Sequence, residues 1–231
     1  MSGDSIESRI RAALEHNPAI NLHRYPIRIS HSDAIRLEGT VADIEAKRRA
    51  IQIAHQVAGN VGVDDRLRLE VGRQRPDDEL RQAILRSLLE EPGFVELQLL
   101  EENAAPDTRE DWIRIAAHVG VVLLEGVVGS LSHRRLAEVL SWWTPGTADV
   151  DNRLHVQPPE QDSDDEIADI IRIVLEKEPA IDSTQIQIGV KDRVVSLRGL
   201  VRSEENRRIA AWDCWYIPGV HDVRNRIEVA K

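Results

Sequence analysis

The chain has 231 residues, a length for one large domain or two to three small ones. With 42% hydrophobic and 30% charged residues it has a globular composition, not a disordered one, and aromatics at only 3% mean aliphatic cores. The net charge of −10 argues against a general nucleic-acid binder, and the single cysteine, Cys214, excludes an intrachain disulfide or a multi-cysteine metal cluster.

In chain order, apolar residues first recur at Ile6, Ile10 and Leu14, one stripe of a helix that ends before Pro18. Asp4 stands where an N-cap or a first-turn carboxylate stabilises a helix start. Ile27-Arg28-Ile29 and Ile35-Arg36-Leu37 then alternate around Ser32-Asp33, the signature of a hairpin. Asp43 caps a second helix with the buried stripe Ala50-Ala54-Val57. The last strand, Val63 to Val71, must return parallel to the second, with the helix as its crossover.

This run returns twice. Leu37-Glu38-Gly39-Thr40-Val41 is matched by Leu124-Glu125-Gly126-Val127-Val128 and by Leu197-Arg198-Gly199-Leu200-Val201. Gly59, Gly146 and Gly219 each follow 20 residues later, and Asp65, Asn152 and Asn225 close the pattern. Leu80-Ile84-Leu88 and Ile167-Ile171-Leu175 repeat the first helix, with Asp77 or Asp78, and Ser163 or Asp164, at its start. Ser130 and Ser203 repeat the second cap, and Ala210-Cys214-Ile217 the second stripe. The predicted fold is α+β: three tandem αββαβ domains, each with two helices on a three-stranded mixed sheet. Their ranges are 4–72, 77–157 and 163–230. The second copy carries 13 more residues than the first, near 96–111, where Glu101 to Asp107 reads as a polar loop. Linkers fall near Arg73 to Pro76 and Gln157 to Ser163.

The Leu-x-Gly-x-Val segment, followed by Pro-Gly-Val-x-x-Val-x-Asn-x-Ile at Pro218 to Ile227, resembles the BON domain. That family is named for bacterial proteins of osmotic stress and nodulation, and the resemblance covers nearly the whole chain. Copies one and two depart from it at Ala58-Gly59-Asn60 and Pro145-Gly146-Thr147. The resemblance implies a non-enzymatic module of envelope and stress proteins, with phospholipid surfaces as the usual proposed partner. Some cytoplasmic relatives are described as potassium-binding, so a small-ion sensor is the alternative, and an assembly module of a larger complex is another. Met1 to Glu7 show no basic or apolar leader. The expected location is cytoplasmic, or periplasmic if the N-terminus has been trimmed.

The repeated glycines Gly39, Gly59, Gly126, Gly146, Gly199 and Gly219 read as structural, since a late strand glycine marks a bulge or a close approach. The eight histidines show no zinc-peptidase spacing; His23 and His31, which flank a strand, are the only pair expected to approach. Cys214 sits on a core stripe and reads as a small apolar residue. No metal, cofactor or catalytic residue is expected. The outer face of the second helices stands apart. With the buried stripe of copy three at 0°, Arg208, Trp212 and Trp215 point about 160°, 200° and 140° away. Arg135, Trp142 and the adjacent Trp143 are their counterparts in copy two. Together these six form the predicted contact surface, toward a phospholipid surface, a protein partner, a neighbouring domain or a second copy. Charge divides differently: residues 1–75 carry net +2, 76–161 net −9 and 162–231 net −3. Only the first copy suits an anionic bilayer, and it lacks the tryptophans.

Overall fold

The computed structural model describes residues 5–107 and 111–230. Two compact units divide the chain, Met1–Glu70 with one repeat and Val71–Lys231 with two. The first repeat runs α1 (Ile6–Glu15), β1 (Ile27–His31), β2 (Ile35–Val41), α2 (Ile44–Ala58) and β3 (Val63–Leu69). Its sheet order is β1-β2-β3; Leu37 stands opposite Ile29 on the antiparallel side and opposite Asp65 on the parallel side. The parallel pairing needs a crossover, and α2 is that crossover. Both helices lie on one sheet face: Ile10, Leu14, Ala50 and Ala54 are fully buried over Ile35, Leu37 and Leu67, with Val57 at the rim.

The second repeat runs α3 (Asp77–Leu89), β4 (Gln98–Glu101), β5 (Trp112–His118), β6 (Val121–Val128), α4 (Leu131–Trp143) and β7 (Asp149–Val156). Its sheet has four strands, β4-β5-β6-β7. The extra strand comes from the insertion, where Gln98 pairs in parallel with Trp112 and Glu101 with Ile115. Leu100, 7% exposed, anchors it, and four residues are too few for an alternation to show in sequence. The third repeat runs α5 (Asp164–Lys177), β8 (Ile186–Lys191), β9 (Val194–Val201), α6 (Glu204–Tyr216) and β10 (Asp222–Val229), with sheet order β8-β9-β10.

The second helices start as their sequences require: Asp43, Ser130 and Ser203 accept from Ala46, His133 and Asn206 N–H at 2.9, 3.0 and 3.1 Å. The first helices start at the expected places, with Ser163 as the cap of α5 and Asp77, Asp78 and Asp164 as first-turn carboxylates. Ser5 and Ser163 cap α1 and α5, Pro76 precedes α3 with no side-chain cap, and Asp4 lies outside the described residues. Asp164 also accepts from the N–H groups of Asp192 (2.7 Å) and Arg193 (2.9 Å), the two positive-φ residues of the β8–β9 turn. Asp77 accepts from Gly120 N–H at 3.4 Å in the β5–β6 turn. These first-turn carboxylates tie each helix to the hairpin of its own repeat.

The closing Asp or Asn of each repeat is also structural. Asn152 and Asn225 accept from the N–H two residues on and donate to the carbonyls of Arg134 and Arg207. Asp65 accepts in the same way from Leu67 N–H but has no hydrogen to donate. Lys47, 2% exposed and equivalent to Arg134, supplies it: its ammonium meets Leu67 O and lies 2.7 Å from Asp65.

Candidate functional site at the joint between two repeats

Within the second unit, α4 is buried all round, its run from Arg135 to Trp142 having no exposed side chain. A helix with only its own sheet to cover would keep a polar outer face. Here α5 and α6 of the third repeat cover the other side. Toward the C-terminal end of α4 the polar groups find partners: Ser141 and Thr144 donate to Ala137 O and Leu140 O, and Glu138 accepts from Asn152 and Trp142.

Arg135 is the centre of this joint. It is 2% exposed, donates from Nε to Pro218 O at 3.1 Å and from Nη2 to Asp162 Oδ1 at 2.6 Å. Asp162 also accepts from Arg193 Nη1 at 2.9 Å. Burial pushes the Asp162 carboxyl up, but the hydrogen bonds from the two arginines outweigh it and leave the group below its ordinary value. Gly219, at φ +96°, is needed at this turn: a Cβ there would stand 2.9 Å from Arg193 Nη1 and 3.3 Å from Arg135 Nη2. On one flank Lys177 of α5 lies 2.7 Å from Glu91, which is 9% exposed. At the far end of α4, Trp143 Nε1 donates to Asp213 Oδ1 at 3.0 Å, and the Trp142 ring stacks on Tyr216 at 5.9 Å.

Asp213 is 2% exposed, and among the described residues its Oδ2 has no hydrogen-bond partner. Burial, with the Glu178 charge adding to it, pushes its carboxyl up to about 8 against the Trp143 hydrogen bond. The group is therefore a neutral acid near pH 7. Cys214 beside it is fully buried, and burial drives its thiol well above the ordinary range, so it is an inert core residue.

Of the six residues predicted to form one outward surface, Arg135 and Trp142 are enclosed by the third repeat, Trp143 and Trp212 are half-buried and Arg208 is exposed. Trp215 corrects the expectation of an outward stripe: it is 1% exposed. It lies in the last turn of α6, the end that abuts α4 through Tyr216 and Pro218. Helical phase identified a face that leaves its own core, but not that a neighbouring repeat covers part of it. Asp162, Asp213, Lys177 and Tyr216 went unread; the one visible signal was a carboxylate, Asp213, flanking the apolar stripe Ala210-Cys214-Ile217.

The strand glycines mark close approach. A Cβ on Gly126 would stand 2.0 Å from Trp112 O at the start of the paired strand, and one on Gly199 would stand 2.0 Å from Gln185 O just before it. His23 and His31 are both exposed, and among the described residues no group of three or more His, Cys, Asp or Glu is placed to hold a metal ion. No helix among the described residues is long and apolar enough to cross a membrane.

The sequence profile of the BON domain matches residues 2–71, 76–158 and 163–231. No curated protein matches the chain. Among solved structures, the C-terminal domain of CdsD, a structural protein of the type III secretion system of Chlamydia trachomatis, is similar. It is 13% identical and covers 100% of both chains at a TM-score of 0.27. The PrgH periplasmic domain is 11% identical, covering 90% of this chain and 96% of its own at a TM-score of 0.25.

Proposed function

The chain belongs to the BON domain family, and from that membership we propose that it is a non-enzymatic, stress-associated adaptor that assembles protein partners. The joint around Arg135 carries this reading. It makes the second and third repeats one body, and it draws inward Arg135, Trp142 and Trp215, side chains that would otherwise suit a lipid boundary. What stays outward is the charged open face of each sheet, a surface suited to protein contact through polar complementarity.

The test is size analysis of native lysate with vesicle sedimentation of the purified chain. The expected result is elution well above the 26.1 kDa monomer and no co-sedimentation with anionic vesicles. A monomer-sized peak in lysate overturns the adaptor reading, and co-sedimentation with vesicles would put a phospholipid surface in place of the protein partner.

A further inference from the structure

The open faces of the three sheets differ in their middle row. In the first repeat the row is Arg28–Glu38–Arg66, with Arg28 Nη1 3.2 Å from Glu38. In the second it is Arg114–Glu125–Arg153, with Glu125 3.7 and 4.0 Å from the two guanidinium groups. Both times one carboxylate stands between two arginines. The third row is Gln187–Arg198–Arg226, without a carboxylate.

Arg198 and Arg226 stand side by side on parallel strands, whose spacing is about 4.8 Å. Both are exposed, and among the described residues neither has an ion pair. Like charges directly opposite each other destabilise a sheet. A local rule broken in one repeat and kept in the other two points to a binding surface. Lys191 adds positive charge on the same face, where Arg224 lies 3.9 Å from Asp222 and Glu228 also stands, so the face keeps a net positive charge, and Leu200 beside Arg198 is 46% exposed.

A matching surface stands on the second repeat, whose segment carries net −9. Its helix α3 has Asp78 and Glu79 exposed in the first turn, with Glu101 and Glu102 beside it through Gln82 and Arg81. The same helix ends at Leu89, 62% exposed. Because α4 makes the joint, this acidic surface with an apolar end stays open in the joined unit. Each surface therefore combines charge with one exposed leucine, and the charges are opposite.

We propose that the open face of the third sheet, centred on Arg198 and Arg226, docks the acidic α3 surface of a second copy of this chain. Chains then join head to tail, a heterologous contact that closes into a ring or continues as a filament. The contact rests on the adaptor reading and names one partner within it. The net charge of −10 opposes association at long range, but a screening length of about 8 Å at physiological salt leaves the facing patches to decide.

Sedimentation velocity of the purified full chain tests the contact. At physiological salt the wild-type mass should rise with concentration, and about 1 M salt, where the screening length falls to about 3 Å, should return it to monomer. Arg198→Glu restores the Glu–Arg row of the other repeats, so its melting temperature should hold or rise while self-association weakens about tenfold or more. The double variant Glu79→Lys, Glu102→Lys should lose self-association equally. A mixture of the two variants should form a one-to-one complex, since each keeps the surface the other has lost. A monomeric wild type at physiological salt overturns the contact, as does Arg198→Glu that still associates or a mixture that forms no complex. A purified monomer that still elutes in a large lysate complex rejects this contact alone; a monomer in both settings rejects the adaptor reading as well.

Discussion

Helices α4 and α6 occupy the same place in successive repeats, yet they end in different surroundings. Arg135 of α4 is 2% exposed and bonded to Asp162 and Pro218, while its equivalent Arg208 on α6 stays exposed. Val139 is fully buried where α6 has the half-buried Trp212. Toward their C-terminal ends the helices converge, with Trp142 and Trp215 both buried. One repeat position can therefore be a joint in one copy and open surface in the next. The residue type does not decide this; the element packed against the helix does. α4 has α5 and α6 against it, and α6 has that neighbour only at its C-terminal end.

The sharpest way to break this difference is Arg135→Ala, which gives α4 the unbonded outer position that α6 has. It leaves the Asp162 carboxylate with Arg193 alone and the Pro218 carbonyl without this donor inside the joint. Removing one partner of a buried ion pair costs about 3–5 kcal/mol when the other charge is left uncompensated; Asp162 is one-third exposed and keeps Arg193, so the expected loss is about 3 kcal/mol or somewhat less. Urea unfolding should show a transition shifted to lower denaturant for the second unit, with that of Met1–Glu70 unmoved. Arg135→Lys should not restore it, because one ammonium cannot reproduce the two directed bonds. An unchanged profile would mean that the joint does not depend on this residue.

A smaller effect follows from Asp213, which α6 places against Trp143 of α4. Its carboxyl is raised to about 8 in the folded chain, so between the ordinary carboxylate value and 8 the folded state holds a proton that the unfolded state releases. Stability from this group is full at acid pH and falls as pH rises through about 8. The largest slope is about 1.4 kcal/mol per pH unit, or about 2 kcal/mol between pH 6 and 7.5. Asp213→Asn keeps the acceptor oxygen for Trp143 Nε1 and cannot ionise. The variant should flatten the decline, and melting curves across that range would show it. Equal slopes in both proteins would place the titration elsewhere.

How much of this was legible in sequence depends on what each residue answers to. The repeat elements, the Asp43, Ser130 and Ser203 caps and the parallel return strand were readable, because each follows from local chemistry or from a two- or 3.6-residue period. The fourth strand was not, since Gln98 to Glu101 is a short run whose pairing depends on a distant partner, Trp112 to Ile115. The joint was half legible. An arginine and tryptophans leaving their own core announced an unsatisfied face, but Asp162 lies in a linker that reads only as acidic and stiff. Its role exists because Arg135, 27 residues earlier, meets it in space.

The smallest expected effect sharpens the comparison at the residue farthest from the α6 core stripe. Trp212 is half-buried, and its counterpart Val139 is fully enclosed in α4. If α6 is open along this part of its face, Trp212→Ala removes a ring that packs on one side only. It leaves the core residues Ala210, Cys214 and Ile217 untouched. The cost should be about 1 kcal/mol or less, the range of surface substitutions away from a buried contact. The matching truncation Trp142→Ala, at 6% exposure and stacked on Tyr216, should cost about 3 kcal/mol or more. Measured side by side by denaturant midpoint, the pair reads the enclosure of one helix against the openness of the other. Equal losses would show that the third repeat uses Trp212 as core, and that the outer face of α6 is covered along its whole length.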